Sequence, residues 1–246
     1  MSILITRPEP AASELLLRLY KLGKIAWTLP LIEFIPGRDL QQLPEKLATL
    51  QPGDLVFFMS QQAVKFANPI LQYNKMIWPK LLQYYAIGRS TALAINRVTN
   101  IKVYYPHKQE NSEELIKIKC LQRIKGKNAL ILRSKIGREL LADTLKARGV
   151  KVQYSECYQR CKKKYDHTIE KNRWRNRNIN TIIITSGEIL QQLFTLFTPI
   201  NHEEWLLSCK LLVVSERLAN QAAKLGWKNI HIADSAHNDA LIRALE

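Results

Sequence analysis

The side chains able to do chemistry recur at similar places instead of gathering in one motif. Arg7 follows the apolar run ILIT, and Arg133 follows ALIL. An arginine at the carboxyl end of a parallel strand stands where open α/β sheets place ligands, and its planar fork suits bidentate carboxylate recognition. Lys135 and Arg138 lie close behind Arg133. Ser60 closes the run LVFFM, and Ser186 closes TIIIT with Gly187 behind it. A serine there can cap a helix, and bare glycine N–H groups at a helix start suit an anion, so both readings stand. A third turn, AIGRST, offers Arg89, Ser90 and Thr91. The chemistry these residues share is the binding of a small anionic molecule.

Other chemistries are disfavoured. The chain has nine glycines and neither G-x-G-x-x-G nor G-x-x-x-x-G-K-[ST], which argues against a dinucleotide or P-loop site. MSQQ and TSGE are not a nucleophile elbow. The histidines at 107, 167, 202, 231 and 237 form no H-x-x-x-H or H-E-x-x-H pattern, so no metal is expected. Cysteines stand at 120, 157, 161 and 209, two of them in SECYQRC. No C-x-x-C occurs. In an extended strand residues four apart are roughly 13 Å distant, too far for a disulfide. The cysteines read as reduced, small apolar residues.

Apolar residues make up 46% of the 246 residues, enough for a substantial core. No apolar run is long enough for a transmembrane helix. MSILITRPEP reads as a strand, not a signal peptide, which points to the cytoplasm. The net charge of +16 admits nucleic acid, a polyanionic small substrate, or compositional drift. Its densest stretch, Lys162 to Arg177, reads first as a solvated helix face. Neither zinc-finger spacing nor an RNP-type aromatic motif accompanies it, so no nucleic-acid partner is expected.

The elements that must position these residues are written twice. A shift of 126 places lays residues 3–27 over 129–153, with Arg7 on Arg133, Leu15 on Leu141, Leu19 on Leu145 and Gly23 on Gly149. The same shift lays 54–64 over 180–190, with Ser60 on Ser186, and 85–94 over 211–220. Each half begins with a buried strand and an amphipathic helix ending at a glycine, then alternates strands and helices. The expected strands are 3–6, 25–34, 55–59, 85–88 and 102–105, then 129–132, 150–158, 181–185, 211–214 and 229–233. Such alternation means parallel sheets with right-handed crossovers. The fold class expected is α/β, two pseudo-repeated, doubly wound, flavodoxin-like domains. The second strand of each half, through LPLIEF and SECYQRC, is unusually long. Paired as a two-stranded β-ladder near 31–36 and 155–162, these strands would join discontinuous domains, 1–36 with 163–246 and 37–162. Two consecutive domains split near 126 fit the residues equally.

Several blocks in order and spacing resemble uroporphyrinogen-III synthase in its bacterial form: ILITRP, LPLIEF, FMSQQAVKFA, YYAIGRSTALAI, GRELLADTLKARG, ECYQRC, ITSGEILQQL, LLVVSERLA and NDALIRAL. The resemblance spans essentially the whole chain. It implies the discontinuous layout and a site in the inter-domain cleft. It implies an enzyme that closes hydroxymethylbilane, a linear octacarboxylate tetrapyrrole, to uroporphyrinogen III. Water is lost and the terminal pyrrole ring inverts through a spiro intermediate. It implies a monomer and no cofactor. The family's tyrosine falls on Tyr158, which would help the hydroxyl leave; a phenol is protonated at neutral pH and can donate. Tyr158 overlies Ile32 in the repeat, an asymmetry that an asymmetric substrate requires. The substrate-binding set expected is Arg7, Ser60, Arg89, Ser90, Arg133, Arg138, Ser186 and Gly187. One turn departs from the family: Val214-Ser215-Glu216-Arg217 replaces a Gly-plus-Thr turn, so no threonine role carries over. The competing reading is a non-catalytic two-domain binding protein for small polyanions.

Overall fold

The computed structural model describes residues 1–135, 137, 139–197 and 204–246. Arg138 and His202 lie outside them. The elements in chain order are β1 (Ser2–Ile5), α1 (Ala11–Lys21), β2 (Ile25–Thr28), β3 (Ile32–Pro36), α2 (Leu43–Ala48), β4 (Leu55–Phe58), α3 (Gln61–Tyr73), β5 (Gln83–Ala86), α4 (Arg89–Thr99), β6 (Val103–Tyr104) and α5 (Ser112–Leu115). There follow β7 (Asn128–Ser134), α6 (Leu140–Ala147), β8 (Lys151–Lys162), α7 (His167–Asn176), β9 (Thr181–Ile183), α8 (Gly187–Phe197), α9 (Glu204–Ser208), β10 (Lys210–Val213), α10 (Glu216–Lys224), β11 (Ile230–Ile232) and α11 (Asn238–Arg243). The chain divides into two compact units, Met1–Glu33 with Cys161–Glu246, and Phe34–Arg160.

The first unit holds a sheet in the order β2-β1-β9-β10-β11, every neighbouring pair parallel. Parallel strands covered on both faces read as unbroken apolar runs. In β1, Ile3 and Ile5 face Leu15 and Leu19 of α1 and Leu241 of α11, while Leu4 faces Leu190 and Leu193 of α8. The second unit holds the order β8-β7-β4-β5-β6, again parallel, with β3 added outside β8. Here Val56 and Phe58 face Val64, Ala67 and Leu71 of α3, while Leu55 and Phe57 face Leu141 and Leu145 of α6.

The strand registers follow the same shift as the sequence. Ile3 stands opposite Ala26 and Thr181; Ala129 stands opposite Val152 and Leu55. A side-chain clasp recurs as well: Asp54 accepts the N–H of Asn128 at 2.9 Å, and Asn180 accepts the N–H of Ser2 at 3.1 Å. From β5 and β10 onward the correspondence moves one place further, so Gly88 and Ser215 are the equivalent caps of α4 and α10. Gly23 and Gly149 take φ of +68° and +79°, the left-handed turn that ends α1 and α6.

One detail differs from the sequence reading. The strand expected over 25–34 is two strands, broken at Leu29-Pro30-Leu31. Proline has no N–H for a ladder. Leu29 and Leu31 donate to Ile5 and Thr6 at the end of β1, and the Pro30 carbonyl accepts from the Tyr165 hydroxyl at 2.9 Å. Beyond the break, β3 runs antiparallel to β8: Lys163 N–H bonds the Leu31 carbonyl, and Gly37 N–H bonds the Cys157 carbonyl. The basic stretch presents the solvated face expected of it, with Lys162, Lys163, Lys164, Arg173, Arg175 and Arg177 exposed, and packs its other side inward. In α7, Trp174 and Glu170 are buried, and the Arg177 guanidinium lies 3.8 Å from the Trp27 ring centre.

Candidate active site

In the second unit a cavity of about 290 Å³ opens at the carboxyl ends of β4, β5 and β7, where doubly wound sheets bind ligands. Its walls include Met59, Ser112, Arg133, Tyr154 and Tyr158.

Tyr158 reaches its place through an irregularity in β8. Tyr154, Ser155 and Glu156 stand opposite Ile131, Leu132 and Arg133, but Ser134 stands opposite Tyr158, leaving Cys157 as the extra residue of a β-bulge. Ahead of the bulge, Tyr154 shares the α6-side core with Ile131. Regular alternation would send Tyr158 to that same face. The bulge sends it to the α3 face instead, with Leu130 and Leu132. The ring is 8% exposed, edge-on to Phe34 at 5.7 Å and stacked on Phe66 at 6.0 Å. Its hydroxyl oxygen accepts from the Ser60 hydroxyl at 2.9 Å, and Ser60 Oγ in turn accepts the Ala63 N–H at 3.2 Å, capping α3.

Arg133 is buried. Its Nη1 donates to Glu139 Oε1 at 2.8 Å, its Nε donates to the Ser134 carbonyl at 3.3 Å, and its guanidinium stacks 4.8 Å over the Tyr154 ring centre. The Tyr154 hydroxyl donates to the other oxygen of Glu139. These two donors, Tyr154 foremost, hold the Glu139 carboxyl below its usual range. Burial, and then the bond to Glu139, pushes the Tyr154 phenol up to about 12. Gly137 lets the backbone pass over the guanidinium, since a Cβ there would lie 2.9 Å from Nη2.

Arg89 and Ser90 are exposed on the first turn of α4 and do not line the cavity. The amino end of α4 already holds a carboxylate: Glu110 Oε1 accepts the Arg89 N–H at 2.9 Å, and a Cβ on Gly88 would meet Glu110 at 2.2 Å.

The remaining candidates lie in the first unit, at the carboxyl ends of β1 and β9. Arg7 is half-buried and donates to Asn238 Oδ1 at 2.7 Å. Desolvation lowers its pKa against the opposing pull of Glu14. Ser186 Oγ accepts the Ile189 N–H at 3.3 Å, as Ser60 does in the other sheet, and Gly187 follows where a Cβ would stand 2.9 Å from the Gln221 side chain. Sequence reasoning missed Tyr154, Glu139, Glu110, Phe34 and Phe66. Tyr154 alone left a signal, a second tyrosine on the same strand. No group of three or more His, Cys, Asp or Glu side chains among the described residues could hold a metal ion, and no helix among them is long and apolar enough to cross a membrane.

Residues 13–243 match the family model described as Uroporphyrinogen-III synthase HemD. The chain is 54% identical to the uroporphyrinogen-III synthase of Salmonella typhimurium and 53% identical to that of Escherichia coli, over the full length of all three. Among solved structures, uroporphyrinogen-III synthetase from Helicobacter pylori aligns over 100% of this chain and 99% of its own with a TM-score of 0.58 at 17% identity. A mutant uroporphyrinogen III synthase from Thermus thermophilus aligns over 100% and 98% with a TM-score of 0.56 at 16% identity. At those identities the structures speak for the fold alone.

Proposed function

The chain belongs to the uroporphyrinogen-III synthase family, and from that premise we propose that it closes hydroxymethylbilane to uroporphyrinogen III with Tyr158 as the proton donor. The observation that carries the assignment is the Tyr158 hydroxyl, fixed by Ser60 at the wall of the cavity. The C–O bond of the terminal hydroxymethyl group breaks as the phenol protonates the leaving oxygen, and water departs. The resulting azafulvene-like cation is attacked by the substituted carbon of the far ring, folded back on itself. The spiro intermediate fragments and recloses with that ring inverted. The hydrogen lost from the last ring carbon on rearomatisation restores the proton Tyr158 gave, so the net change is loss of one water. Much of the rate comes from holding the far ring in attacking position.

The substrate carries eight carboxylates. Arg133 in one sheet, Arg7 in the other, and the helix starts at Ser60, Ser186 and Gly187 are the groups proposed to bind them. Arg89 and Ser90 stand on a helix start that already holds the Glu110 carboxylate, so they join this set only by exchanging Glu110 for a substrate carboxylate. Arg133 must exchange Glu139 for a substrate carboxylate, a trade of one charged partner for another. The registers shared by the two sheets support a pseudo-repeat in which each domain takes its first two strands from one half and its last three from the other. The domain layout proposed is accordingly discontinuous, 1–36 with 163–246 and 37–162, joined through β3 and β8. The enzyme is proposed to act as a cytoplasmic monomer without a cofactor.

The test is to supply hydroxymethylbilane and resolve the type I and type III isomers. Type III is expected from the wild-type protein; type I alone, the spontaneous product, overturns the assignment. Tyr158→Phe is expected to lower kcat by about 10²–10³-fold while the protein stays folded.

A further inference from the structure

We propose that Ser60 is a positioning residue that sets the direction in which Tyr158 gives its proton. The inference rests on the role of Tyr158 given above. Three donors and acceptors stand in line: the Ala63 N–H, the Ser60 hydroxyl and the Tyr158 hydroxyl, at 3.2 and 2.9 Å. Ser60 Oγ is taken as acceptor by the first turn of α3. The single proton of its hydroxyl goes to the Tyr158 oxygen. A phenol whose oxygen already accepts has its own proton left for something else, and the open side of Tyr158 is the cavity. The packing of Phe34 and Phe66 against the ring leaves the hydroxyl proton as the adjustable part.

The arrangement also acts on the product of the transfer. As the phenol gives up its proton, charge grows on an oxygen that already has a donor 2.9 Å away. A donor in place before the charge appears needs no reorganisation, and removing one such donor lowers kcat by about 10²-fold or more. The amino end of α3 polarises the serine in the helpful sense, because its N–H draws electron density from Oγ and makes the hydroxyl a better donor.

Ser186 holds the equivalent cap in the other sheet, but Ile32 stands where Tyr158 would have its counterpart. The same serine is therefore a cap in one half and a cap plus proton director in the other.

Capping and directing separate by substitution. Ser60→Thr keeps both. Ser60→Asp keeps the cap but only accepts, so the Tyr158 proton turns back onto the carboxylate. Ser60→Gly costs little as a cap and removes the hydroxyl. Turnover of hydroxymethylbilane, the isomer ratio and a thermal melt are measured for each, alone and with Tyr158→Phe. We expect Ser60→Thr to keep most of the turnover, Ser60→Gly to stay folded with kcat down about 10²-fold and KM within about twofold, and Ser60→Asp to stay folded with kcat down as far and KM raised by repulsion of the substrate carboxylates. In the Tyr158→Phe background Ser60→Gly should add nothing. Wild-type kcat in Ser60→Asp overturns the inference, since capping would then be the whole role. So does an equal loss from Ser60→Gly with and without the phenol. Full activity of Tyr158→Phe alone is a separate result and overturns the reading beneath.

Discussion

Asp54 offers the sharpest test of how the sheet of the second unit is assembled. Its carboxylate, 4% exposed, accepts from the Gln51 N–H, the Asn128 N–H and Asn128 Nδ2, each at 2.9 Å. It thereby fastens the start of β4 to the start of β7, the strands whose far ends lead to Ser60 and Arg133. At about 1 kcal/mol per bond, Asp54→Ala should cost about 3 kcal/mol. Asp54→Asn keeps one acceptor, as Asn180 does for Ser2 in the other sheet, and should cost about 2 kcal/mol. With a urea m-value of about 2 kcal/mol/M, the alanine variant melts about 1.5 M earlier. The pH dependence follows from the same bonds. Desolvation pulls the Asp54 pKa upward, but the bonds from Asn128 and Gln51 and the charge of Lys127 outweigh it, and the net shift is downward. A depressed folded-state pKa gives stability that is complete above the unfolded value of about 3.9 and lost as pH falls through the folded one. The gap between wild type and Asp54→Asn should therefore narrow below about pH 4. Urea titrations, with hydrogen exchange read on β4 and β7 peptides, measure both effects. A midpoint for Asp54→Ala within about 0.2 M of wild type refutes the reasoning. So does a gap that stays constant down to about pH 2.

Three further outcomes are expected. Cys157 and Cys209 are buried, with thiols pushed up to about 12, whereas Cys120 is exposed and Cys161 half-buried; a thiol reagent at mild alkaline pH should modify two of the four quickly and the others only on unfolding, and a native Cys157–Cys161 disulfide found by mass spectrometry would contradict this. A Cβ on Gly37 would lie 1.9 Å from the Glu156 carbonyl oxygen, a backbone atom; Gly37→Ala should cost about 3 kcal/mol, seen as an early urea midpoint, and an unchanged midpoint would mean that β3 yields freely. Glu139→Gln removes the charge that helps hold the Tyr154 proton, so tyrosinate absorbance should show one phenol titrating earlier than in the wild type, and superimposable titrations would disprove that coupling.

The central strands β1, β4, β5, β7, β9 and β10 were legible because they are buried along almost their whole length and are written as largely apolar runs. Their ends were set by ordinary signals: a serine at the start of α3 and of α8, and a glycine after α1 and after α6. Pro30 was a visible break, but the apolar residues on either side hid it within one long hydrophobic stretch. The bulge at Cys157 was not legible. It shows in the structure as a register shift, Glu156 opposite Arg133 but Tyr158 opposite Ser134. Tyrosine and cysteine are equally at home on either face, so composition gave no hint. The Arg133–Glu139–Tyr154 cluster depends on how closely α6 approaches β8, which no local pattern encodes. The basic stretch was read rightly as a solvated face, but its charge count could not show that the exposed Arg177 also stacks on Trp27.

The order of strands has a consequence for synthesis. β1 pairs with β2 and β9, so its second neighbour is encoded near the other end of the chain. At about 5–20 residues per second, the ribosome needs roughly 10–35 s after making Ile5 before it completes Ile183. The strands of the second unit, by contrast, lie in one continuous segment. During translation that unit can close while Ile3, Leu4 and Ile5 still lack the partner that will bury them, so a nascent chain stalled between β8 and β9 should be the species that recruits a chaperone.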